Sequence, residues 1–526
     1  MALYAFRPTG ACLDLPPEAA PADCWTGVQN ATFGEGAATR PDGEARQFFA
    51  AASLALVPRG LIHAGPDVSN VGALKPNRVY WAVGNNLAGT AAIVQQFGDT
   101  GVTPAVRTPA SWVGSVTAPG QVTGGELNGY AFVNVSGVRD GLAYGSPGAT
   151  SALTPFVPTA SWCFRAARPY KYHVIGLGLW DPVGLTDYPT RVSWSSAAPP
   201  GAWPATWTPA ATNEAGSVDV ADCRGPLVDG GKLGEDFVIY AEGSTHLLTY
   251  VGGQLVMALR GISSQSGLVN RNCWADLGGA HFAVTGSDVV VLDASGPRSI
   301  ADGFVRRRLF GPGGIVQLGR APYLHVLQHR ARREVWVCYP SSDVAYCAEA
   351  LVWSMATGRW GHRTLQNQHV AGAAGFTRLT DLRQRTDECL LLASTGGGAA
   401  FSDGRIYLAD EPTTGGVYDT RTVLLQRHDL DLGEPRRIKQ VSWVRPRFQE
   451  TAGAVTGIEV RAGGRNSATE AIAWGPWTAY APATDDAVPI SGVVGRLVSV
   501  EVRHQASTQP WRLVGLDIEF ELRGRW

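Results

Sequence analysis

The sequence predicts an all-β protein: a β-propeller-like array of meander blades over residues 1–420, followed by a smaller β-sandwich-like domain over 421–526. Three observations lead there. The first is the stretch Arg333 to Arg363, where Val335, Val337 and Tyr339 alternate with Trp336 and Cys338, the two-residue period of a strand. Pro340 to Asp343 supply turn chemistry, Leu351 to Met355 form a second run, and Ala356 to Arg359 turn the chain into a third strand opening at Trp360. The second is composition: 64 glycines, 33 prolines and 17 tryptophans suit short strands with tight turns, because Gly and Pro are the poorest helix formers. The third is recurrence. Units of this kind return roughly every 40–60 residues between about 75 and 410, overlapping the spacing of propeller blades.

In chain order, residues 1 to 50 are turn-rich around Trp25 and Phe33 to Gly36, and Glu44 to Leu56 is expected as a short helix. Arg78 to Val83 and Ala91 to Phe97 pair as strands. Trp112 opens a unit containing Tyr130 to Val135 and Gly141 to Tyr144; Trp162 opens another with Tyr172 to Trp180 and Arg191 to Trp194. Asp236 to Tyr240 and His246 to Val251 form a hairpin, as do His281 to Thr285 and Val289 to Leu292. Glu388 to Ala393 and Arg405 to Leu408 flank a Gly-rich turn, Thr395 to Gly404. A lone meander buries only one face and leaves sheet edges open, whereas radial repetition covers the faces and shortens the edges. Trp112, Trp162, Trp274 and Trp360 are expected in the wedges between blades. Beyond 421 the pattern changes: Gln440 to Val444, Thr456 to Val460 and Arg496 to Val502 alternate. In Leu513 to Leu522 an apolar set (Leu516, Ile518, Phe520, Leu522) opposes a charged one (Asp517, Glu519, Glu521), the mark of a half-buried sheet.

The formal net charge is −1, so no global basic field recruits nucleic acid. Only Lys75, Lys171, Lys232 and Lys439 among the 44 basic residues are lysines, a bias given no functional weight. The eight cysteines (Cys12, Cys24, Cys163, Cys223, Cys273, Cys338, Cys347, Cys389) show no CxxC spacing and read mostly as reduced core residues; Cys12 with Cys24, and Cys338 with Cys347, could approach each other. The N-terminal MALYAFRPTG lacks the regions of a signal peptide, and no apolar run reaches the roughly 20 residues of a membrane helix. A protein made in a cytoplasm, without stable membrane insertion, is therefore expected.

No catalytic constellation emerges, and none of the residues is assigned a catalytic, cofactor or metal role. HExxH, zinc-finger pairings and GxSxG are absent. His325 and His329 are four apart but lie in a strand pattern, which does not make a helical metal pair. Pro226 occupies the first glycine position of a Walker pattern before Lys232, and Gly176 to Gly178 lacks a third glycine. Asp429 and Asp431 read as a solvated turn. The clusters Arg306 to Arg308, Arg330 with Arg332 and Arg333, and Arg436 with Arg437 and Lys439 read as solvated loops or inter-subunit ion pairs.

Several stretches resemble one family. Ala152 to Trp180 and Asp187 to Trp203, then Gly234 to Gly253, Gly267 to Leu292, Ser299 to Phe310, and Arg333 to Pro340 with Ala350 to Gly361, are similar to the tail nozzle proteins of short-tailed bacteriophages (tail tubular protein B) in order and spacing. Thr26 to Arg40 and Pro510 to Trp526 also fit. The resemblance implies a propeller-containing structural subunit, not an enzyme and without cofactors. It would form a ring, expected as a homo-hexamer, at the distal end of the tail channel in the virion. Its partners would be tail adaptor and portal proteins, tail fibres or spikes, and genomic DNA, which it retains and then conducts without sequence-specific binding. Assembly would take place in the host cytoplasm. The alternative expectation is a β-propeller carbohydrate-binding protein, motivated by the tryptophans and turn loops.

Overall fold

The computed structural model describes residues 1–41, 43, 46–47, 54–66, 78–98, 104–253, 255–340, 346–376, 388–394, 404–410, 421–449, 455–505 and 511–525. Expectations for Ser341 to Asp343, for most of the Thr395 to Gly404 turn and for Lys75 fall outside these residues.

Strands dominate, and among the described residues they form seven antiparallel four-stranded meanders. Blade 1 comprises Leu56–Pro66, Arg78–Asn86, Ala92–Gly98 and Ala105–Val106. Blade 2 runs from Val122–Leu127 through Tyr130–Val135 and Leu142–Gly145 to Thr154–Pro155. Blade 3 holds Cys163–Tyr170, His173–Asp181, Thr186–Trp194 and Gly216–Asp219. Blade 4 holds Leu227–Leu233, Asp236–Ala241, Thr245–Tyr250 and Met257–Ser263. Blade 5 holds Trp274–Asp276, His281–Val284, Val289–Asp293 and Gly296–Ser299. Blade 6 begins with His325–His329, Glu334–Tyr339 and Cys347–Ser354.

The long strand Trp360–Phe376 serves two blades. Its first part, Trp360 to Thr364, pairs with Cys347–Ser354 as the outer strand of blade 6; its second part, Ala371 to Phe376, pairs with Glu388–Ser394 as the inner strand of blade 7. Arg405–Leu408 follows, and the outermost place in blade 7 is taken by Arg46–Gln47 from near the N-terminus. One blade is thus made from both ends of the propeller segment, which closes the ring and leaves only short outer edges. The first strands of successive blades touch around the full circle, blade 7 meeting blade 1. The short helix expected over Glu44 to Leu56 is not formed in its described part: Arg46–Gln47 is a strand, Leu54 bridges Gly404, and Leu56 opens blade 1. Ring closure overrides local propensity there.

The wedges between blades are the core. Glu334–Tyr339 is buried at every position because its two faces enter two wedges: Val335, Val337 and Tyr339 pack towards blade 5, and Trp336 and Cys338 pack with Leu390 and Leu392 of blade 7. Asp236–Ala241 divides alike, Val238 and Tyr240 to one side, Phe237 and Ile239 to the other. In blade 1, Trp81 and Val83 face blade 2, whereas Tyr80 and Ala82 join Leu391 and Ile406 of blade 7. Trp112, Trp162, Trp274 and Trp360 all pack into such clusters, as expected.

The remaining strands make a sandwich. One sheet contains Arg437–Gln449, Arg512–Arg525 and the N-terminal strands Ala2–Phe6, Thr32–Gly34 and Ala37–Thr39. The other contains Val423–Leu430, Ile458–Arg465, Leu497–His504 and Gly27–Gln29. The boundary expected at 420/421 is therefore corrected at the N-terminal side: residues 1 to 41 supply strands to the C-terminal sandwich, and Phe6, Trp25 and Phe33 lie in its core beside Val460 and Ile518. The propeller is an insertion between two parts of one sandwich.

The same N-terminal segment fastens the two bodies together. Ala31 bridges His362, the Arg359 guanidinium meets Asp23 at 2.7 Å, and Leu13 N–H donates to Phe304 O at 2.7 Å. Among the described residues the only α-helix is Arg306–Phe310, and no helix is long and apolar enough to cross a membrane.

Candidate functional site: the propeller axis

The innermost strands read poorly as strands because they are crowded. VTGGEL, CFRAARPY and LVDGGKL carry glycine and polar residues where the outer hairpins carry Val, Ile and Phe. A Cβ on Gly231 would lie 2.0 Å from the Trp274 ring of blade 5, and one on Gly124, at φ +155, would lie 2.8 Å from Ile62 Cδ1 of blade 1. Glycine there lets neighbouring blades approach at the axis. The Gly230-Gly231-Lys232 stretch that fails as a phosphate loop is thus an inner blade strand.

A cavity of about 330 Å³ lies on this axis, lined by the first strands of blades 1, 2, 3, 5, 6 and 7. Its wall is organised by Asp229, on blade 4 and fully buried. The Asp229 carboxylate accepts Arg168 Nε at 2.8 Å and Nη2 at 2.7 Å, Asn272 N–H at 2.9 Å and Trp274 Nε1 at 3.0 Å. Burial alone would push the Asp229 carboxyl up; the Arg168 charge and the N–H donors of Asn272 and Gly230 outweigh it and hold it below the usual range. Arg168 also donates to Asn272 Oδ1 at 2.7 Å and Gly124 O at 3.3 Å, and Asn272 Nδ2 donates to Val122 O at 2.9 Å. Asn272 holds φ +60, a left-handed conformation that Asn tolerates. One carboxylate therefore ties blades 2, 3, 4 and 5 together. Beside it, Arg271 donates to Gly120 O at 3.2 Å, and burial pulls its guanidinium down to about 10.

Arg59, on blade 1, reaches the same cavity. Its guanidinium lies 5.2 Å from the Tyr346 ring centroid, and Nε and Nη1 are shut off from solvent without a hydrogen-bond acceptor among the described residues. His63 and His325 complete the polar lining.

The structure separates His325 from His329. His325 faces the axis, its Nδ1 3.3 Å from Tyr323 O; His329 is buried against Asp410 at 3.4 Å. Asp410 also accepts Arg363 Nη1 at 3.0 Å, lies 3.3 Å from Arg332 Nε, and the Arg363 guanidinium sits 4.0 Å over the Trp336 ring. Burial drives the His329 imidazole down to about 4, helped by Arg332 and Arg363 and opposed by Asp410. The cluster reading of Arg330, Arg332 and Arg333 as solvated loop or inter-subunit residues is corrected for Arg332, which pairs within the chain. Arg306 lies 3.7 Å from Asp302 and Arg308 3.2 Å from Glu349. Lys439 is buried and donates to Arg496 O at 2.5 Å; burial lowers its amine to about 8.

Asp429 and Asp431 do not converge. Asp429 is buried and paired with Arg465, contrary to the expected solvated turn, while Asp431 accepts Gly433 N–H at 2.9 Å in the turn proper. Among the described side chains six cysteines are buried free thiols and Cys223 is half-buried; Cys12 and Cys24 do meet, in a small core with Ala20.

Ser244, His246 and Asp222 have triad order, with Ser244 Oγ 2.9 Å from His246 Nε2 and His246 Nδ1 3.7 Å from Asp222 Oδ1. They are not arranged for catalysis. Ser244 is 1% exposed, its Oγ accepts Arg224 N–H at 3.0 Å, and the imidazole–carboxylate distance exceeds a hydrogen bond. The group clamps the hairpin turn of blade 4. Among the described residues no set of three or more His, Cys, Asp or Glu could hold a metal ion.

No protein-family model and no curated protein sequence matches the chain. Among solved structures, AztD of Citrobacter koseri is similar over 63% of this chain and 80% of that chain, at 13% identity and a TM-score of 0.35. At that distance the likeness carries no functional inference.

Proposed function

We propose that this chain is a structural, ring-forming subunit, the nozzle at the distal end of a short-tailed bacteriophage tail. The sequence resemblance suggests the assembly, and one feature of the sandwich supports it. Leu3 and Trp443 flank Glu519 in register on the outer face of one sheet, and they are 60% and 40% exposed. Val494, on the same sheet, is 47% exposed. An indole and aliphatic side chains held open on a wide, paired sheet suit a protein–protein contact, and Trp is among the residues most enriched where binding energy concentrates. In this reading six copies enclose the DNA path between them. The axial cavity of about 330 Å³ is sized for a small molecule and not for a polymer.

The alternative, a carbohydrate-binding propeller, requires open aromatic faces. Arg461 and Arg503 lie 4.4 and 4.0 Å over Trp477, and Trp203 stacks on Tyr144 at 4.2 Å. Those rings are covered, and the exposed Trp443 indole lies on the sandwich and not on the propeller.

Mass measurement and electron microscopy of the purified chain, alone and with adaptor and portal, test the proposal. A closed ring is expected, lost in Trp443→Asp with thermal stability retained. A monomer that never assembles with tail proteins and is missing from virions would overturn it. Specific glycan binding by that monomer would favour the alternative.

A further inference from the structure

We propose that the axial cavity of the propeller binds a small, free, multivalent oxyanion of the phosphate class, with Arg59 as its principal ligand. The charge of the wall is the first reason. Its described lining includes two arginines, Arg59 and Arg168, and two histidines, His63 and His325, but no carboxylate. Asp229 stands behind this lining and is consumed by Arg168 and the donors around it. Arg271, beside the cavity, adds a further cation. Glu126, the next acidic residue along blade 2, is exposed and approaches Gly65 at the end of the strand.

The second reason is the contrast between the two lining arginines. Arg168 is fixed and satisfied, with Asp229, Asn272 and the Gly124 carbonyl as acceptors. Arg59 has an aromatic ring and, among the described residues, no acceptor for Nε or Nη1, although both atoms are removed from water. Two donor groups in that state have given up water without a partner in exchange, which is costly. An oxyanion in the cavity repairs this, because the planar fork of Arg matches two oxygens of a phosphate or carboxylate at once.

Third, the wall leaves room. Gly60, Gly124, Gly125 and Gly372 line the cavity and present backbone alone. The volume, about 330 Å³, lies at the small end of ligand pockets, which run from about 300 to 1,000 Å³. Six blades contribute to the wall, and the space between them suits a free ion.

Equilibrium dialysis of the intact chain against inorganic phosphate, at ionic strength held constant with sodium chloride, tests this directly. One saturable site per chain is expected, weakened about tenfold or more in Arg59→Gln and partly restored in Arg59→Lys, which keeps the charge without the fork. Crystals soaked in sodium tungstate give a readout independent of any variant: the anomalous peak is expected beside Arg59. Tungstate confined to the outer surface, no saturable phosphate uptake, or equal uptake by Arg59→Gln would each overturn the proposal. A short single-stranded oligonucleotide in the same dialysis should not compete; competition would mean that the site is a nucleic-acid contact instead.

Discussion

In blade 6 the strand Glu334–Tyr339 hands its side chains alternately to two apolar wedges, while its neighbour His325–His329 puts His325 on the axis and His329 against Asp410. The two strands are hydrogen-bonded to each other over five residue pairs, yet they solve different problems. Towards the rim the space between blades widens, so Val, Ile, Tyr and Trp fill it. At the axis the blades converge, so glycine makes room, and the backbone groups and charges crowded there must find partners within the wall. Stability in the wedge is a matter of volume. At the axis it is a matter of pairing.

Four measurements test that contrast. Trp336→Ala is expected to cost the most, about 4 kcal/mol in equilibrium urea unfolding, because a large ring is lost from a dry wedge. It also strips Glu334 of its indole donor at 2.9 Å and Arg363 of the ring beneath it. Asp229→Asn comes next, at about 3 kcal/mol, since Arg168 is then left buried beside a neutral group. Combining it with Arg168→Met should cost clearly less than the two changes added together, the sign of a shared pair. If Asp229→Asn is silent, the axis is not held by charge.

The third concerns pH. His329 titrates at about 4 in the fold against an ordinary 6.5, so the unfolded chain takes up the proton first. The neutral imidazole therefore favours folding above pH 6.5, and that advantage is lost as pH falls from 6.5 to 4, to a limit of about 3 kcal/mol. His329→Gln should flatten the stability profile over that interval. A smaller effect is expected for Gly231→Ala, about 2 kcal/mol, because one methyl group must displace the Trp274 ring at a crowded point of the axis. The same change at Gly234, at a turn where nothing lies within 4 Å but φ is +59, should cost less, about 1 kcal/mol, through backbone strain alone. Equal costs would mean that closeness at the axis is not why glycine stands there.

Rim strands were legible in the sequence because burial on alternate faces imposes a two-residue rhythm. Tyr130–Val135 and Arg405–Leu408 have the bounds that this rhythm predicts. Leu227–Leu233 and Cys163–Tyr170 were not legible as strands: glycines and arginines at a convergence point carry no period. The axial site shared that fate. Arg59, Arg168, Asp229 and Asn272 are scattered over more than two hundred residues and form no motif; an unexplained arginine in the apolar run Leu54 to Leu61 was the only local sign.

What the sequence determined alone is the material: alternating segments with polar turns, too many glycines and prolines for helices, and meanders whose second face demands a neighbour. Long-range contacts set the rest: seven blades among the described residues, Arg46–Gln47 completing the last, and residues 1 to 41 leaving for the sandwich. The physical reason is range. Strand formation follows from side chains two residues apart, whereas ring closure and the pairing of Arg168 with Asp229 depend on contacts between segments that are distant in the chain and meet only once every blade is in place.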